Sequence, residues 1–511
     1  MPSHTPRLRL WPAVAILGLA AVALIWTWRA EFDNTQTQTI IAAVVVIVTA
    51  PSLLLWWLFF SGLAWKVRLA GLLVVVLGVV AARTLLRFEG FSGNLVPRLS
   101  WRWTAQPDLP LEAMPNRQVS GAFSNREGDY PQFLGPNRKA TLPDPGLIPD
   151  WESHPPFQIW RQPIGAGWSS FAVAGDSAIT QELRGDQEVV VSYRLQTGAV
   201  QWMHSDSSFY SDPLAGRGPR ATPSVIEGKV YTLGSTGLLS CLDFFNGKLL
   251  WQRDLEKDHQ LKGLIYGRAS SPLVNGFAVI VTAGGPDSAL AAYHRESGEL
   301  LWSVGSDRVA HTSPLMATIH ESQQILMLYG ETLVGHDPGD GSVLWRHPRP
   351  AKSPVAAQPL QISEELIFAS SGYGVGGTMV RVRLDSQGGW ESQTVWETIR
   401  LKSKFANMVY HDGFIYGLDD GILVCLDPKD GQRRWKRGRY GHGQIILVGN
   451  LLLIQAESGQ VALVEATPSH FNPLTRFEAL SSKTWNHPVL TGKILLVRNA
   501  KEAAAFELPT R

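Results

Sequence analysis

The side chains best suited to hold a small molecule in this chain recur in one kind of place. Trp168, Arg220, Arg268, His311, Asn407, Tyr440, His442, Trp485 and Asn486 fall just before or at the start of short apolar runs, several of which open with Ser-Pro or Thr-Pro. An arginine presents five donors in a planar fork that suits a carboxylate or phosphate. A tryptophan offers a flat face to a sugar or a planar ring. Gathered together, these nine would take a small anionic or glycan-like ligand. The competing reading is that they line a water-filled channel and satisfy backbone groups. Segment 204–219 ends close to Arg220 and is longer than a minimal turn. Such loops carry function more often than the scaffold does.

Reactive chemistry is harder to find. The 511 residues include two cysteines, Cys241 and Cys425. That excludes a four-cysteine zinc or iron–sulfur site and a C-x-x-C-H haem attachment. The 13 histidines form no H-E-x-x-H pattern, and no G-x-S-x-G occurs. Gly372-Tyr-Gly-Val-Gly-Gly377 imitates a dinucleotide loop, but no helical pattern follows it. The acidic pairs Asp419-Asp420 and Glu364-Glu365 fall at expected hairpin turns, whereas calcium needs six to eight oxygens. No catalytic or metal residue is therefore assigned. Beyond residue 87 the chain holds 39 basic and 42 acidic side chains, which gives no footprint for nucleic acid.

A repeat positions these residues. Five segments share one frame, in which Gly precedes Trp by four: Gly198/Trp202, Gly247/Trp251, Gly298/Trp302, Gly341/Trp345 and Gly431/Trp435. Each frame reads as strand, turn, strand, with Gly supplying the positive φ of a tight hairpin. A further pair of strands precedes each frame, as in Thr222-Pro-Ser-Val-Ile-Glu-Gly228-Lys-Val-Tyr-Thr-Leu-Gly234. Four short strands per unit is the anatomy of a propeller blade. Trp160 opens the series, Trp396 fills a gap and Phe477 takes the Trp place near the end, at intervals of 39 to 51 residues. The tail supplies three strands, and the early run Phe157-Gln-Ile-Trp160 supplies the fourth. The expected fold is all-β: an eight-bladed β-propeller over 128–511, closed by pairing its two ends so that no sheet edge is left open.

The frame Leu-Asp-x-x-[Thr/Ser/Asn/Asp]-Gly-x-x-x-Trp resembles the tryptophan-docking motif of the pyrroloquinoline-quinone (PQQ)-like β-propellers. That superfamily includes quinoprotein alcohol dehydrogenases and the BamB scaffold of the outer-membrane β-barrel assembly machine. The resemblance implies that Trp160, Trp202, Trp251, Trp302, Trp345, Trp396 and Trp435 pack between neighbouring blades. The segment Tyr130-Pro-Gln-Phe-Leu-Gly-Pro-Asn137 is similar to the lead-in of other bacterial PQQ-like propellers. In the enzymes of this superfamily, PQQ lies between a tryptophan floor and a disulfide of adjacent cysteines, beside a calcium ion and an aspartate base. Here the cysteines are 184 residues apart in different repeats, too far for that cap. The expectation is a non-catalytic interaction or ligand-binding module with no cofactor. The alternative is a PQQ- and calcium-dependent dehydrogenase coupled to the membrane.

The N-terminus reads differently. Runs at about 10–28 and 40–60 carry no charge and are long enough to span a bilayer as helices. A shorter run at about 67–86 reaches if its flanking arginines snorkel. Residues 1–87 form an expected membrane anchor and 88–127 a linker. Arg7 and Arg9, with Lys66 and Arg68, put the N-terminus and the second loop in the cytoplasm. Three spans then deliver the propeller to the periplasmic side of a bacterial inner membrane. The partners expected are that membrane and either a protein or a small ligand.

Overall fold

The structure is a computed structural model that describes residues 8–30, 32, 34–104, 109, 123, 126–261, 263–264, 266–285, 287–307, 310–349 and 354–511. Arg7, one of the residues that set the expected orientation, lies outside them. The chain divides into two compact units, residues 1–106 and 107–511.

The first unit is built from apolar runs too long for a small core. Helices α1 (Trp11–Arg29), α2 (Thr35–Leu55) and α3 (Trp65–Leu85) follow them. A single π-helical turn, Trp56–Phe60, extends α2 just after Pro51. All three helices are long and apolar enough to cross a membrane. Asn34 caps α2 by accepting from the Thr37 backbone N–H. Arg68 spends its guanidinium on the Leu58 and Leu63 carbonyls, at 2.7 and 2.9 Å. Where the sequence reads as linker, the chain forms an antiparallel hairpin of β1 (Leu86–Phe91) and β2 (Pro97–Trp101). Its strands are short and the second opens on Pro97, so the alternation is easy to miss.

The second unit is a ring of eight blades. Blades 1 to 6 span 172–206, 224–254, 273–304, 315–348, 360–398 and 409–439, each an antiparallel sheet of four strands in chain order. Blade 7 spans 444–478 and gains a fifth strand, Thr141–Leu142, parallel to its innermost strand. Blade 8 takes three strands from 489–507, and its outermost strand is Phe157–Pro163. The ring closes by the expected pairing of the two ends. Gln444–Val448 and Ile494–Arg498, near the axis, are buried along their whole length.

The repeated Gly and Trp act across blade boundaries. In all eight blades a β-bulge interrupts the outermost strand, and in seven of them a Trp follows the bulged residue, as where Cys241 faces Trp251 but Leu242 faces Leu249. A bulge sharpens local twist and re-aims the next side chain, here toward the neighbouring blade. The Trp160, Trp202, Trp251, Trp396 and Trp435 indoles donate to Leu195, Phe244, Arg295, Pro428 and Thr467 carbonyls of the following blade at 2.8–2.9 Å. Trp302 packs over Gly341 of blade 4. Blade 5 lacks the Gly four residues before its Trp, Ser392 standing there, and Trp345 turns its donor to Gln324 of its own blade, at 2.7 Å. In blade 7 the Trp position is Thr475, because Leu463 pairs with Thr475 and Val461 with Phe477. Phe477 therefore lies two residues beyond the expected place, edge-on to Trp151 and Phe506.

Candidate functional site

The innermost strands of the propeller begin at one end of its axis, here called the mouth. A polar belt links the blades there. The Ser170 N–H donates to Thr222 Oγ1 at 3.1 Å, Thr222 N–H to Ser271 Oγ at 2.9 Å, and Ser271 N–H to Ser313 Oγ at 2.9 Å. The Ser-Pro and Thr-Pro starts thus place each hydroxyl on the backbone of the blade before it. The lead-in segment crosses the axis beneath. Tyr130 bridges to Val173 of blade 1, Arg138 donates to Ser271 and Pro272 carbonyls at blade 3, and Ala140 accepts from Leu447 of blade 7.

Above the belt, aromatic rings and cations gather. Trp168 and Trp485 lie with ring centroids 4.9 Å apart. Lys483 Nζ sits 4.9 Å from the Trp168 ring and 3.9 Å from Trp485, within cation–π range of both. Phe405 continues the row, 5.0 Å from Trp485 and 5.5 Å from His442. Glu457 orders this side, accepting from Trp485 Nε1 and the His442 N–H, each at 3.0 Å. Segment 204–219 folds back so that the Ala215 carbonyl accepts from Trp168 Nε1. On the same side the Arg220 guanidinium lies 4.7 Å from the Tyr210 ring and donates to Gly216 and Gly218 carbonyls. Tyr266 meets His311 edge-on at 5.8 Å, and Lys404 Nζ lies 4.8 Å from the Tyr373 ring.

Burial tunes these groups. It lowers the Lys404 ammonium to about 8 and the His311 imidazole to about 4, with the Arg220 charge adding to the second. Burial first and Lys404 second push His442 well below the usual histidine range. Burial and the Tyr266 hydroxyl raise Tyr373 to about 12. Carboxylates stand near these cations as well: Asp420 and Glu457 by Lys404, and Asp212 and Glu188 by Arg220, with Glu188 also accepting from the Ser235 hydroxyl and N–H. The opening is thus flat-walled, with Arg220, Lys404 and Lys483 around it.

Of the nine sequence-derived candidates, Trp168, Trp485, His442, Arg220 and His311 belong to this cluster. The other four do structural work. Arg268 is buried, donates to the Ala283 carbonyl and lies 3.8 Å from Glu256. Asn407 accepts from the Gln358 N–H at 2.9 Å and faces the lead-in side, in a cleft with Leu134 and Arg138. Asn486 donates to Gly167 and Ser169 carbonyls at 3.2 and 2.8 Å. Tyr440 packs against the core, its N–H on the Gly421 carbonyl. Sequence reasoning missed Lys404, Phe405, Glu457, Lys483, Tyr210, Tyr266 and Tyr373. Lys483 stands two residues before Trp485, so its nearness in sequence to a candidate was the one signal for it.

The acidic pairs are occupied by cations. Asp419 pairs with Lys402 at 2.7 Å and with Lys436, and Glu365 pairs with Arg381 and Arg383 at 3.4 and 3.0 Å. Among the described residues no three His, Cys, Asp or Glu side chains converge as metal ligands. Cys241 and Cys425 are free and buried in equivalent strands of blades 2 and 6, and burial raises both thiols to about 12.

The family model described as outer membrane protein assembly factor BamB matches residues 185–437. BamB of Yersinia pestis is 22% identical over 382 residues, which span 70% of this chain and 90% of that protein. Quinohemoprotein alcohol dehydrogenase ADH-IIG of Pseudomonas putida is 25% identical over 265 residues, 48% of this chain but 32% of that enzyme. Among solved structures, BamB from Moraxella catarrhalis superposes with a TM-score of 0.51 at 15% identity, covering 70% of this chain and 98% of that one. Repeat frame, bulged Trp-docked blades and sequence matches agree: the chain is an eight-bladed β-propeller of PQQ-like repeats, similar in sequence to BamB over most of its length, and three apolar helices that fit a membrane anchor precede it.

Proposed function

We propose that this chain is a non-catalytic binding module, anchored by its three helices in a bacterial cytoplasmic membrane with the propeller in the periplasm, and that its mouth takes a small anionic or glycan-like ligand. One observation carries the ligand class: Lys483 lies over both Trp168 and Trp485. Flat aromatic faces suit a sugar or planar ring, and the guanidinium of Arg220 offers a planar fork of donors suited to a carboxylate or phosphate. The name of the BamB relatives, outer membrane protein assembly factor, supports a protein as the competing occupant.

A dehydrogenase is the second reading, favoured by the resemblance to quinohemoprotein enzymes. The residues present do not fit its cofactor. Asp419 and Glu365 are bound to Lys and Arg, and Glu457 is bound to Trp485 and His442, so among the described residues no oxygen set converges for calcium. The buried cysteines occupy different blades and form no cap.

The test uses residues 128–511. Sugar acids and aromatic carboxylates are screened by thermal shift, and PQQ is titrated with and without calcium. Expected are stabilisation by at least one anion, lost in Trp485→Ala, and no dye-linked alcohol oxidation. A stoichiometric PQQ–calcium complex that oxidises alcohols would replace this reading with the dehydrogenase. No shift, with a protein retained from solubilised membranes in a Lys483-dependent way, would replace the ligand with a protein partner.

A further inference from the structure

The hairpin β1–β2 has one apolar face, and among the described residues that face is left about half exposed. Cross-strand partners share a face of a sheet, and alternate residues of a strand share it too. The pairs Leu86↔Trp101 and Phe88↔Leu99 therefore lie together, while Arg87↔Ser100, with Glu89 and Arg98, takes the other side. Phe88, Leu99 and Trp101 are each about half exposed, and Trp103 stacks on Trp101 at a centroid distance of 4.9 Å. A lone two-stranded hairpin is at best marginally stable in water, so this apolar face needs a surface to lie on.

The helices fix where the hairpin sits. No residue separates α3 from β1, and the Arg102 N–H returns to the Leu85 carbonyl at 2.8 Å. The tip reaches the first turn of α2, where Gln36 Nε2 donates to the Gly93 carbonyl at 2.9 Å. Successive spans alternate in direction, so the end of α3 and the start of α2 meet the same bilayer surface. The hairpin bridges them at that level. Arg83, Arg87, Arg98 and Arg102 stand in or beside it, complementary to anionic headgroups, and Trp is the residue enriched at membrane–water interfaces.

We propose that the hairpin is an interfacial element that lays Phe88, Leu99, Trp101 and Trp103 into the headgroup layer of an anionic bilayer, on the side where α3 ends. This rests on the reading that the three helices span a membrane, and the experiment separates the two. The full chain is reconstituted in phosphatidylethanolamine–phosphatidylglycerol vesicles with single spin labels at Leu99→Cys, Phe88→Cys, Val75→Cys in mid-α3, and Ser386→Cys on an exposed propeller turn. Cys241 and Cys425 are buried and do not compete for the label. Collision with oxygen and with a water-soluble nickel chelate is then compared.

Labels at Leu99 and Phe88 are expected to favour oxygen over nickel, at a shallower depth than Val75, while Ser386 favours nickel. If Leu99 and Phe88 behave like Ser386 while Val75 reads as membrane-embedded, the hairpin stands in water and the proposal falls. If both are shielded from both reagents, protein rather than lipid covers the face and the proposal falls. If Val75 itself fails to favour oxygen, the spanning helices fall first and the hairpin with them.

Discussion

At Gly247 φ is +69°, and a Cβ added there would stand 2.4 Å from the ring of Trp202 in the preceding blade. Gly198, Gly298, Gly341 and Gly431 lie in the same way under Trp160, Trp251, Trp302 and Trp396. The glycine of each frame thus makes room for the Trp of the frame before it. Gly247→Ala combines left-handed strain of about 1–2 kcal/mol with overpacking of about 1–3 kcal/mol. Gly185→Ala, at φ +59° with nothing within 4 Å, carries only the first cost. Thermal melts should rank Gly247→Ala well below Gly185→Ala, and equal melting temperatures would refute the docking role. Histidines give a second residue-scale outcome. His487 is buried, with Nδ1 on the Pro488 carbonyl at 3.0 Å, and burial lowers it to about 4. The unfolded chain takes up its proton near 6.5 and the folded chain near 4, so stability is full above 6.5 and falls as pH drops toward 4. The loss reaches at most about 3 kcal/mol. Denaturation midpoints in His487→Phe should depend less on pH across that window. The turn role of the frame glycines is legible in one repeat. Their packing role is not, because it couples residues some fifty positions apart.

Elements were legible where periodicity was strong. Blade number, ring closure and the three helices follow from spacing and hydropathy, since each repeat must bury its faces on its neighbours. The closure strand Phe157–Pro163 shows the limit. Its pairing with Glu502–Glu507 joins segments more than three hundred residues apart, and only the count of strands signalled it. Arg161 strengthens the join, with Nη1 on Glu502 at 2.8 Å and Nη2 on the Ala479 carbonyl at 2.6 Å. A chain beginning at residue 164 leaves the edge of Glu502–Glu507 unpaired, and such edges recruit other chains. Size-exclusion chromatography should show a monomeric fragment for 128–511 and soluble aggregate for 164–511. A monomer of equal thermal stability from 164–511 would mean that the ring does not depend on closure. The hairpin β1–β2 and the mouth cluster were less legible for a common reason. Their residues are assembled from short segments whose alternation is too brief to stand out, and four of the nine proposed mouth residues turned out to tie blades and backbone together.

For the whole molecule, orientation decides which solvent the mouth meets. Among the described residues Arg9, Lys66 and Arg68 flank one membrane face, while Arg29, Arg87, Arg98 and Arg102 flank the other once the hairpin is placed at the end of α3. The Lys/Arg count that gave the expected topology is therefore nearly balanced, and Arg68 is held by carbonyls of its own loop. Two arguments favour the proposed placement of the propeller outside. Large domains translocate with little regard to their charge, so the hairpin arginines do not anchor it in the cytoplasm. The BamB relatives are named outer membrane protein assembly factors, which supports the proposed periplasmic side. The prediction is that a thiol at Ser386→Cys in the full chain reacts with a membrane-impermeant maleimide in intact spheroplasts, while Ala64→Cys, exposed in the loop between α2 and α3, reacts only after the membrane is opened. The reverse pattern would put the propeller in the cytoplasm. The funnel would then have to be matched to cytoplasmic anions, and the resemblance to assembly factors would lose its bearing on partner choice.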